Sequence, residues 1–457
     1  MNTEEIDATL AVALTSRDDF LLQDAVRSIH PAHVASALTT FDPKGAAGVL
    51  TRIEPERRGD VFGYLSADVQ ESVIASLDNT ELAELLGTMD SDDRADVFAE
   101  LPEPRKQAVL PALNESDRAD VRRLTAYEEG TVGAIMTTDF ATLRPNESAA
   151  TAIERLRRQA PDKETIYATY VVDADRQLVG TVELSTLLLA DPSQPIYNIM
   201  RKPAAWVSAS APQEDAARYV RDYDLIALPV INGEGHLIGI VTHDDVLDVV
   251  ENEATVDMLK VGGFSFHGAD DDFDSSMSLA DAPIRLLYRK RIMWLVVLVF
   301  GNVLSGAGIA LFEDIIAANV ALVFFLPLLI GSAGNAGSQS ATITIRSLAT
   351  GELDLADWSK MLGREILVAS MLGVTMAVAV SSLGFLRGGF PVAAVVSLTM
   401  VIVVLFGSMV GFTLPFILSK LRFDPATASA PLITTIADAS GVLIYFGIAT
   451  SFLPLNT

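Results

Sequence analysis

The sequence predicts a multidomain chain. It has an α-helical superhelical repeat domain, an α/β tandem pair of similar blocks, and an all-α transmembrane domain of five helices. Three observations predict it. A period of 12 residues runs through positions 42–113. A strand–turn–strand–helix block occurs twice between residues 131 and 255, offset by 59. Five apolar stretches of membrane length follow residue 290. Charge divides the chain in the same way. Residues 1–282 carry 23 Lys+Arg against 51 Asp+Glu, net −28, and residues 283–457 carry 10 against 8, net +2. A strongly acidic soluble part therefore precedes a membrane part.

The first 130 residues form an acidic α-superhelical domain by this reading. The repeat runs DPKGAAGVLTRI, EPERRGDVFGYL, SADVQESVIASL, DNTELAELLGTM, DSDDRADVFAEL, PEPRKQAVLPAL. Each segment closes on a large apolar residue: Ile53, Leu65, Leu77, Met89, Leu101 and Leu113. Each opens on Asp, Glu, Ser or Pro, residues that start helices. Twelve residues hold one short helix and a tight connection, and such units share their core with their neighbours.

Residues 131–243 change character. YVVDADRQLVGTVELSTLL (170–188) and PVINGEGHLIGIVTHDDVL (229–247) each read as strand, turn, strand, helix. An amphipathic helix precedes each one. The duplicated block resembles a tandem pair of CBS domains, whose clefts commonly hold adenine nucleotides. Gly239, Thr242 and Asp245 match the G-x-x-T-x-x-D pattern for ribose and phosphate. The first block, with Glu183 and Thr186 at the matching places, lacks both groups. At most one cleft per chain is thus equipped for ATP or a relative, and a pair that binds no nucleotide is the alternative. A continuous acidic helix follows over 244–261, with Asp245, Asp248, Glu251, Glu253 and Asp257 spread over its faces. A Gly- and Asp-rich linker, 262–284, leads into the membrane domain, 285–457.

Hydropathy places five spans at roughly 292–311, 318–345, 362–385, 391–418 and 430–453. Arg285, Arg289, Lys290, Arg291, Arg346, Lys360, Arg364, Lys420 and Arg422 all fall on one side, and Arg387 alone falls on the other. The positive-inside rule predicts a multi-pass plasma-membrane protein with cytosolic N-terminal domains and an external C-terminus. The missing basic-then-apolar leader in the first 30 residues agrees.

Asp438 is the only charge after Asp424. A carboxylate near the centre of an apolar span costs roughly 2.5 kcal/mol or more, so it is expected to face water or a cation. Thr427, Thr434, Asp438 and Gly441 fall on one helical stripe, and Thr434 and Gly441, with Gln339 of the second span, are candidate pore-lining residues. The alternative is a carboxylate that snorkels to an interface or is tied up by Thr434 and Thr435. In the second span, PLLIGSAGNAGSQ places the amides of Asn335 and Gln339 four apart. Its Gly and Pro residues either break the helix beside a cavity or let helices approach closely. Glu365 opens the third span beside Arg364.

Several function classes are disfavoured. The acidic surface argues against a nucleic-acid partner. All five histidines (30, 33, 236, 243, 267) lie before the first span, and no cysteine occurs. Neither a His-based intramembrane dyad nor a thiolate site can form, and no H-E-x-x-H or P-loop motif is present, so an enzyme is not expected. The excess of Asp over Glu (36 to 23) and of Arg over Lys (25 to 8) is the bias of proteins from salt-rich cytoplasms. A single surface carboxylate therefore carries little weight alone.

In order, spacing and motifs, nearly the whole chain resembles the MgtE family of magnesium channels and transporters. PLLIGSAGNAGSQ and DPATASAPLITTIADASGVLIYF are the most specific segments. The resemblance implies a homodimer with a pore on its two-fold axis, where Asp438 of each copy helps hold hydrated Mg²⁺. It places Asp424 at the cytosolic mouth and makes 244–261 the plug helix. Cytosolic Mg²⁺ would close the pore by bridging acids of the helical domain, CBS pair and plug. The candidates are Asp92, Asp93, Asp96, Asp245, Asp248, Glu251, Glu253 and Asp257, with Asn335 and Glu365 added along the ion's path. Val256 and Val261 depart from the pattern, being apolar where acids are expected in relatives. Two carboxylates suit an ion that keeps most of its waters. The competing expectations are another divalent cation (Co²⁺, Mn²⁺), Na⁺-coupled cation transport, and a nucleotide-sensing membrane scaffold.

Overall fold

The computed structural model describes residues 3–16, 18–264, 284–350, 352–428 and 430–453. Most of the expected linker, 265–283, lies outside the described residues. Two compact units divide the chain at Glu253/Ala254.

In the first unit the repeat becomes a stack of short helices: Pro43–Leu50, Pro55–Gly63, Ala67–Ser76, Asn79–Leu86, Ser91–Glu100 and Glu103–Val109. All six residues that close the repeats are buried in one continuous core. That is why the period shows in the sequence: each short helix buries its closing residue against its neighbours. Pairing skips one place, so that Pro31–Leu38 packs on Pro55–Gly63, and Pro43–Leu50 on Ala67–Ser76. The starts behave as their residues dictate. Pro43 and Pro55 occupy first turns, and Asp78 and Glu81 form a capping box.

The duplicated blocks form two three-stranded sheets. β1 (Phe140–Leu143), β2 (Thr165–Val172) and β3 (Leu178–Glu183) make the first; β4 (Val207–Ser208), β5 (Ala227–Ile231) and β6 (Leu237–Thr242) make the second. In each, the outer strands flank the middle one, parallel on one side and antiparallel on the other. The Tyr170 hydroxyl donates to the Ala227 carbonyl at 3.1 Å and ties the halves together. Helix Ser91–Glu100 docks on the pair: Ala95 joins the core that contains Met136, Leu228 and Val246. Its Ser91 hydroxyl lies 3.1 Å from that of Thr137 and accepts from the Thr138 amide at 2.7 Å.

The second unit holds long apolar helices: Ile284–Ala310, Ala321–Ala349, Trp358–Lys420 and Ala430–Phe452. The 63-residue helix is interrupted at Gly388 and Gly389, the latter at φ +69°. Its halves fold back antiparallel, since Gly384 meets Ala393 and Gly373 meets Val401. It therefore supplies the third and fourth of the five expected spans. Helix Ala321–Ala349 is continuous through Pro327, Gly331, Gly334 and Gly337. This decides between the two readings of its small residues: none breaks the helix, and Gly334 and Gly337 permit close packing. A Cβ on Gly411 would lie 1.9 Å from the Gly337 carbonyl oxygen, and one on Gly407 2.2 Å from that of Ala333. The Tyr445 hydroxyl donates to the Leu322 carbonyl at 3.0 Å and fastens the last helix to the same assembly.

Gly411→Ala and Gly407→Ala should each destabilise the membrane domain, by about 1–3 kcal/mol as overpacking does. Gly447→Ala, with open space around the glycine, should not. Thermal unfolding of the purified protein in detergent distinguishes them.

Candidate metal centre and membrane path

Three carboxylates from separate parts of the first unit converge. Asp92 is in the first turn of helix Ser91–Glu100, Glu164 immediately precedes β2, and Asp245 is in the first turn of the helix His243–Val261 that follows β6. One oxygen of each lies within 4.8 Å of the others. Local structure aims each one. Ser91 anchors its turn to Thr137 and Thr138. The Glu164 amide bonds the Asp139 carbonyl at 3.0 Å. The Thr242 hydroxyl donates to Asp245 Oδ2 at 2.5 Å. Asp92 is only 7% exposed. Its Oδ1 and Glu164 Oε2 are buried with no hydrogen-bond partner among the described residues.

This arrangement is costly without a counter-charge. Burial, then the neighbouring carboxylates Asp245, Glu164, Asp93 and Asp90, hold Asp92 well above the usual range. Burial and Asp245 push Glu164 to about 8, against hydrogen bonds from Thr137 and Thr242 that lower it. Burial raises Asp245 to about 6, opposed by Thr242. Asp93 rises to about 6 and Asp96 to about 7, from burial first and then from acids including Asp245. The nearby Arg94 is already engaged by the Leu86 and Met89 carbonyls and by Asp117. Orphaned oxygens in a cluster of hard ligands fit a Mg²⁺-like cation, which is bound by a few carboxylates and keeps waters. Asp92, Glu164 and Asp245 would hold it, and it would supply the missing positive charge.

Of the predicted acids, the structure brings Asp92 and Asp245 together, with Asp93, Asp96 and Asp248 close enough to act on the group or be acted on. Glu251 is exposed. Glu253 accepts from the Gln213 amide at 2.7 Å. Asp257 belongs to the second unit. Glu164 is not among the sequence candidates: it stands in an ordinary charged turn, Asp162-Lys163-Glu164, before a strand, and nothing local marks it. The nucleotide candidates have structural duties as well. Gly239 leaves room for Met136 and the Thr137 carbonyl, which a Cβ would approach to 2.6 and 2.9 Å. Thr242 is buried and bonded to Asp245.

In the second unit, Asp438 is half-buried on helix Ala430–Phe452. The hydroxyls of Thr434 and Thr435 both donate to the Pro431 carbonyl, at 3.0 and 2.9 Å, so neither ties up the carboxylate. Thr427 does not share the stripe. It lies in the separate 3₁₀ turn Pro425–Thr427, because Asp424 caps that turn through Oδ1 on the Ala426 amide. Thr434 packs on Gly334, and Gly441 is buried near Ile330. Asn335 and Gln339 are exposed, on the side of their helix away from Gly334 and Gly337, which pack against other helices. Glu365 is half-buried near the start of the third span. Asp424 Oδ2 lies 2.6 Å from Lys260 Nζ.

A set of long apolar helices, in one chain with a carboxylate cluster that could hold a cation, defines a membrane protein with a candidate metal centre. The comparisons are more specific. Residues 326–448 match the family described as a divalent cation transporter, 29–130 the MgtE intracellular N domain, and 132–193 and 196–252 the CBS domain. The chain is 34% identical to the magnesium transporter MgtE of Thermus thermophilus, over 98% of this chain and 99% of that one. It is 36% identical to the magnesium transporter MgtE of Bacillus subtilis, over 73% of this chain and 72% of that one. A crystal structure of the soluble part of a magnesium transporter superposes with TM-score 0.53 at 30% identity, over 55% of this chain and 100% of that one. The chain belongs to the MgtE family of divalent cation transporters.

The raised carboxyls have a sign that can be tested. Groups whose folded pKa exceeds the unfolded value stabilise the fold at low pH and lose that contribution as pH rises. Without divalent cations, the thermal midpoint of the protein should fall between about pH 4 and 8, the range set by the unfolded values and by Asp93, Asp96, Asp245 and Glu164. Added Mg²⁺ should flatten that slope and release protons, read by calorimetry in buffers of different ionisation enthalpy. Asp92→Asn should raise the midpoint without Mg²⁺ and remove most of the gain Mg²⁺ confers.

Proposed function

We propose that this chain carries Mg²⁺ across the plasma membrane and that cytosolic Mg²⁺ closes it. The observation that carries the regulatory half is the meeting of Asp92, Glu164 and Asp245, one from the helical domain and one from each CBS block. Unbridged, they repel, and the helical domain is held to the CBS pair less firmly. Bridged by Mg²⁺, the docked arrangement gains the cation's differential binding energy. Asp93, Asp96 and Asp248 add to the field that draws the cation in.

For transport, Asp438 is the ion-binding group in the path, with Thr434 and Gly441 beside it and Asp424, Asn335 and Glu365 as further candidates. A homodimer supports this reading physically. The exposed amides of Asn335 and Gln339 need water or a second copy at membrane depth. Two Asp438 copies would hold a hydrated Mg²⁺ without a full protein cage. Cytosolic N-terminal domains and an external C-terminus follow from the basic residues and the odd number of spans. An adenine nucleotide is a modulator in this reading, through Gly239, Thr242 and Asp245. Because Asp245 also faces the acid cluster, nucleotide and cation occupancy would be coupled there.

The test is Mg²⁺ flux in proteoliposomes with Mg²⁺ varied on the side of the soluble domains. Wild-type flux should fall as that Mg²⁺ rises. Asp438→Asn should cut flux about tenfold or more, whatever the Mg²⁺ on that side. Glu164→Gln and Asp92→Asn should keep maximal flux and move half-inhibition to several-fold higher Mg²⁺. Flux indifferent to Mg²⁺ on that side would refute the regulatory half, and full flux in Asp438→Asn the path.

A further inference from the structure

The end of the connecting helix makes contacts that the acid cluster does not explain. Its final turn lies within the second unit, against the loop that joins the fourth and fifth spans. Lys260 Nζ sits 2.6 Å from Asp424 Oδ2. The other oxygen of that carboxylate is held at 2.8 Å by the Ala426 amide, so its direction is set by the turn Pro425–Thr427. One residue on, Val261 packs against a buried group of Ala341, Ile345, Ala426, Ala428 and Ile433. The helix then stops in a way that brings the chain closer. Gly263 takes φ +85°, and the Phe264 amide returns to the Leu259 carbonyl at 3.0 Å. A Cβ on Gly263 would come within 2.9 Å of Trp294 and 3.0 Å of Pro431, so the glycine is needed for the approach as well as for the turn. The Arg291 guanidinium lies 5.7 Å from the centre of the Phe264 ring.

These contacts engage the first span, the loop and the fifth span, and none uses a divalent cation. Val256 and Val261 offer no ligand atoms. Lys260 brings its own positive charge to Asp424, where a metal ion would otherwise supply one.

We propose that Lys260, with Val261 and Gly263, forms a latch that fastens the connecting helix to the membrane domain without Mg²⁺. The chain then has two closing devices of different kinds: a cation-dependent one at the acid cluster and a cation-independent one at Asp424. What the latch does to flux rests on the gating reading above; the contact itself does not. The ion pair is part-exposed, with side chains 21% and 36% accessible, so its contribution is modest and screened by salt.

The chain has no cysteine, so Val261→Cys introduces a single thiol. Its rate of alkylation by a maleimide, in the full-length protein in liposomes, reports whether the latch is made. The latch predicts slow labelling in EDTA and in Mg²⁺ alike. Adding Lys260→Gln should raise the rate in EDTA by about two- to fivefold, the range of an exposed pair. The exchange Lys260→Asp with Asp424→Lys should restore slow labelling, which separates a lost ion pair from a misfolded variant. Labelling that is slow only in Mg²⁺ would overturn the proposal, as would a Lys260→Gln rate equal to the parent's. In flux assays without Mg²⁺ on the soluble-domain side, Lys260→Gln should conduct about two- to fivefold faster than wild type. If labelling follows the prediction while wild-type flux ignores that Mg²⁺, the gating reading fails and the latch stands.

Discussion

The mutual repulsion of buried carboxylates is the constraint on which the soluble part turns. Asp92, Glu164 and Asp245 present oxygens within 4.8 Å of one another, and two of those side chains keep a buried oxygen without a partner among the described residues. Such a cluster is an unfavourable place for charge unless protons or a cation neutralise it. Its hydrogen bonds come mainly from Thr137 and Thr242, which orient the acids without adding charge. Arg94, close by, is committed to two carbonyls and to Asp117. In the proposed reading a mobile cation would complete the cluster, and its concentration would bias how firmly the helical domain holds the CBS pair.

Packing contacts continue across this junction. The helical repeats share one core, and Ser91, Ala95, Met136 and Val246 continue the contact into the CBS pair. Asp245 begins the connecting helix, so a charge at the cluster sits at the root of the element that leads to the membrane domain. In that domain the physics differs. Gly337, Gly407 and Gly411 bring backbones together where no side chain fits, and Tyr445 satisfies its hydroxyl on a carbonyl of the second span. Tight packing on one side leaves Asn335 and Gln339 facing out, so these polar residues of the second span are not buried within the chain.

Much of the chain was legible because its signals are local. A 12-residue repeat, a 59-residue duplication and five apolar stretches are each visible along the chain, and Ile53, Leu65, Leu77, Met89, Leu101 and Leu113 all enter the core. Part of the acid cluster was legible too: Asp92 and Asp245 stood among the candidates. Glu164 did not, because its meaning comes from residues far along the chain. Helical spacing puts Thr427 on the stripe of Asp438, and the cap at Asp424 overrules that spacing.

The sequence by itself determined the order of the three parts, the family, the charge asymmetry and the presence of one carboxylate in the last span. Periodicity, composition and motif are properties of neighbouring residues and survive without coordinates. Only the tertiary structure decided which acids meet, that Gly334 and Gly337 of the second span serve packing, and that Lys260 reaches Asp424. Those are contacts between distant segments, set by how helices and sheets dock, and no spacing along the chain encodes them.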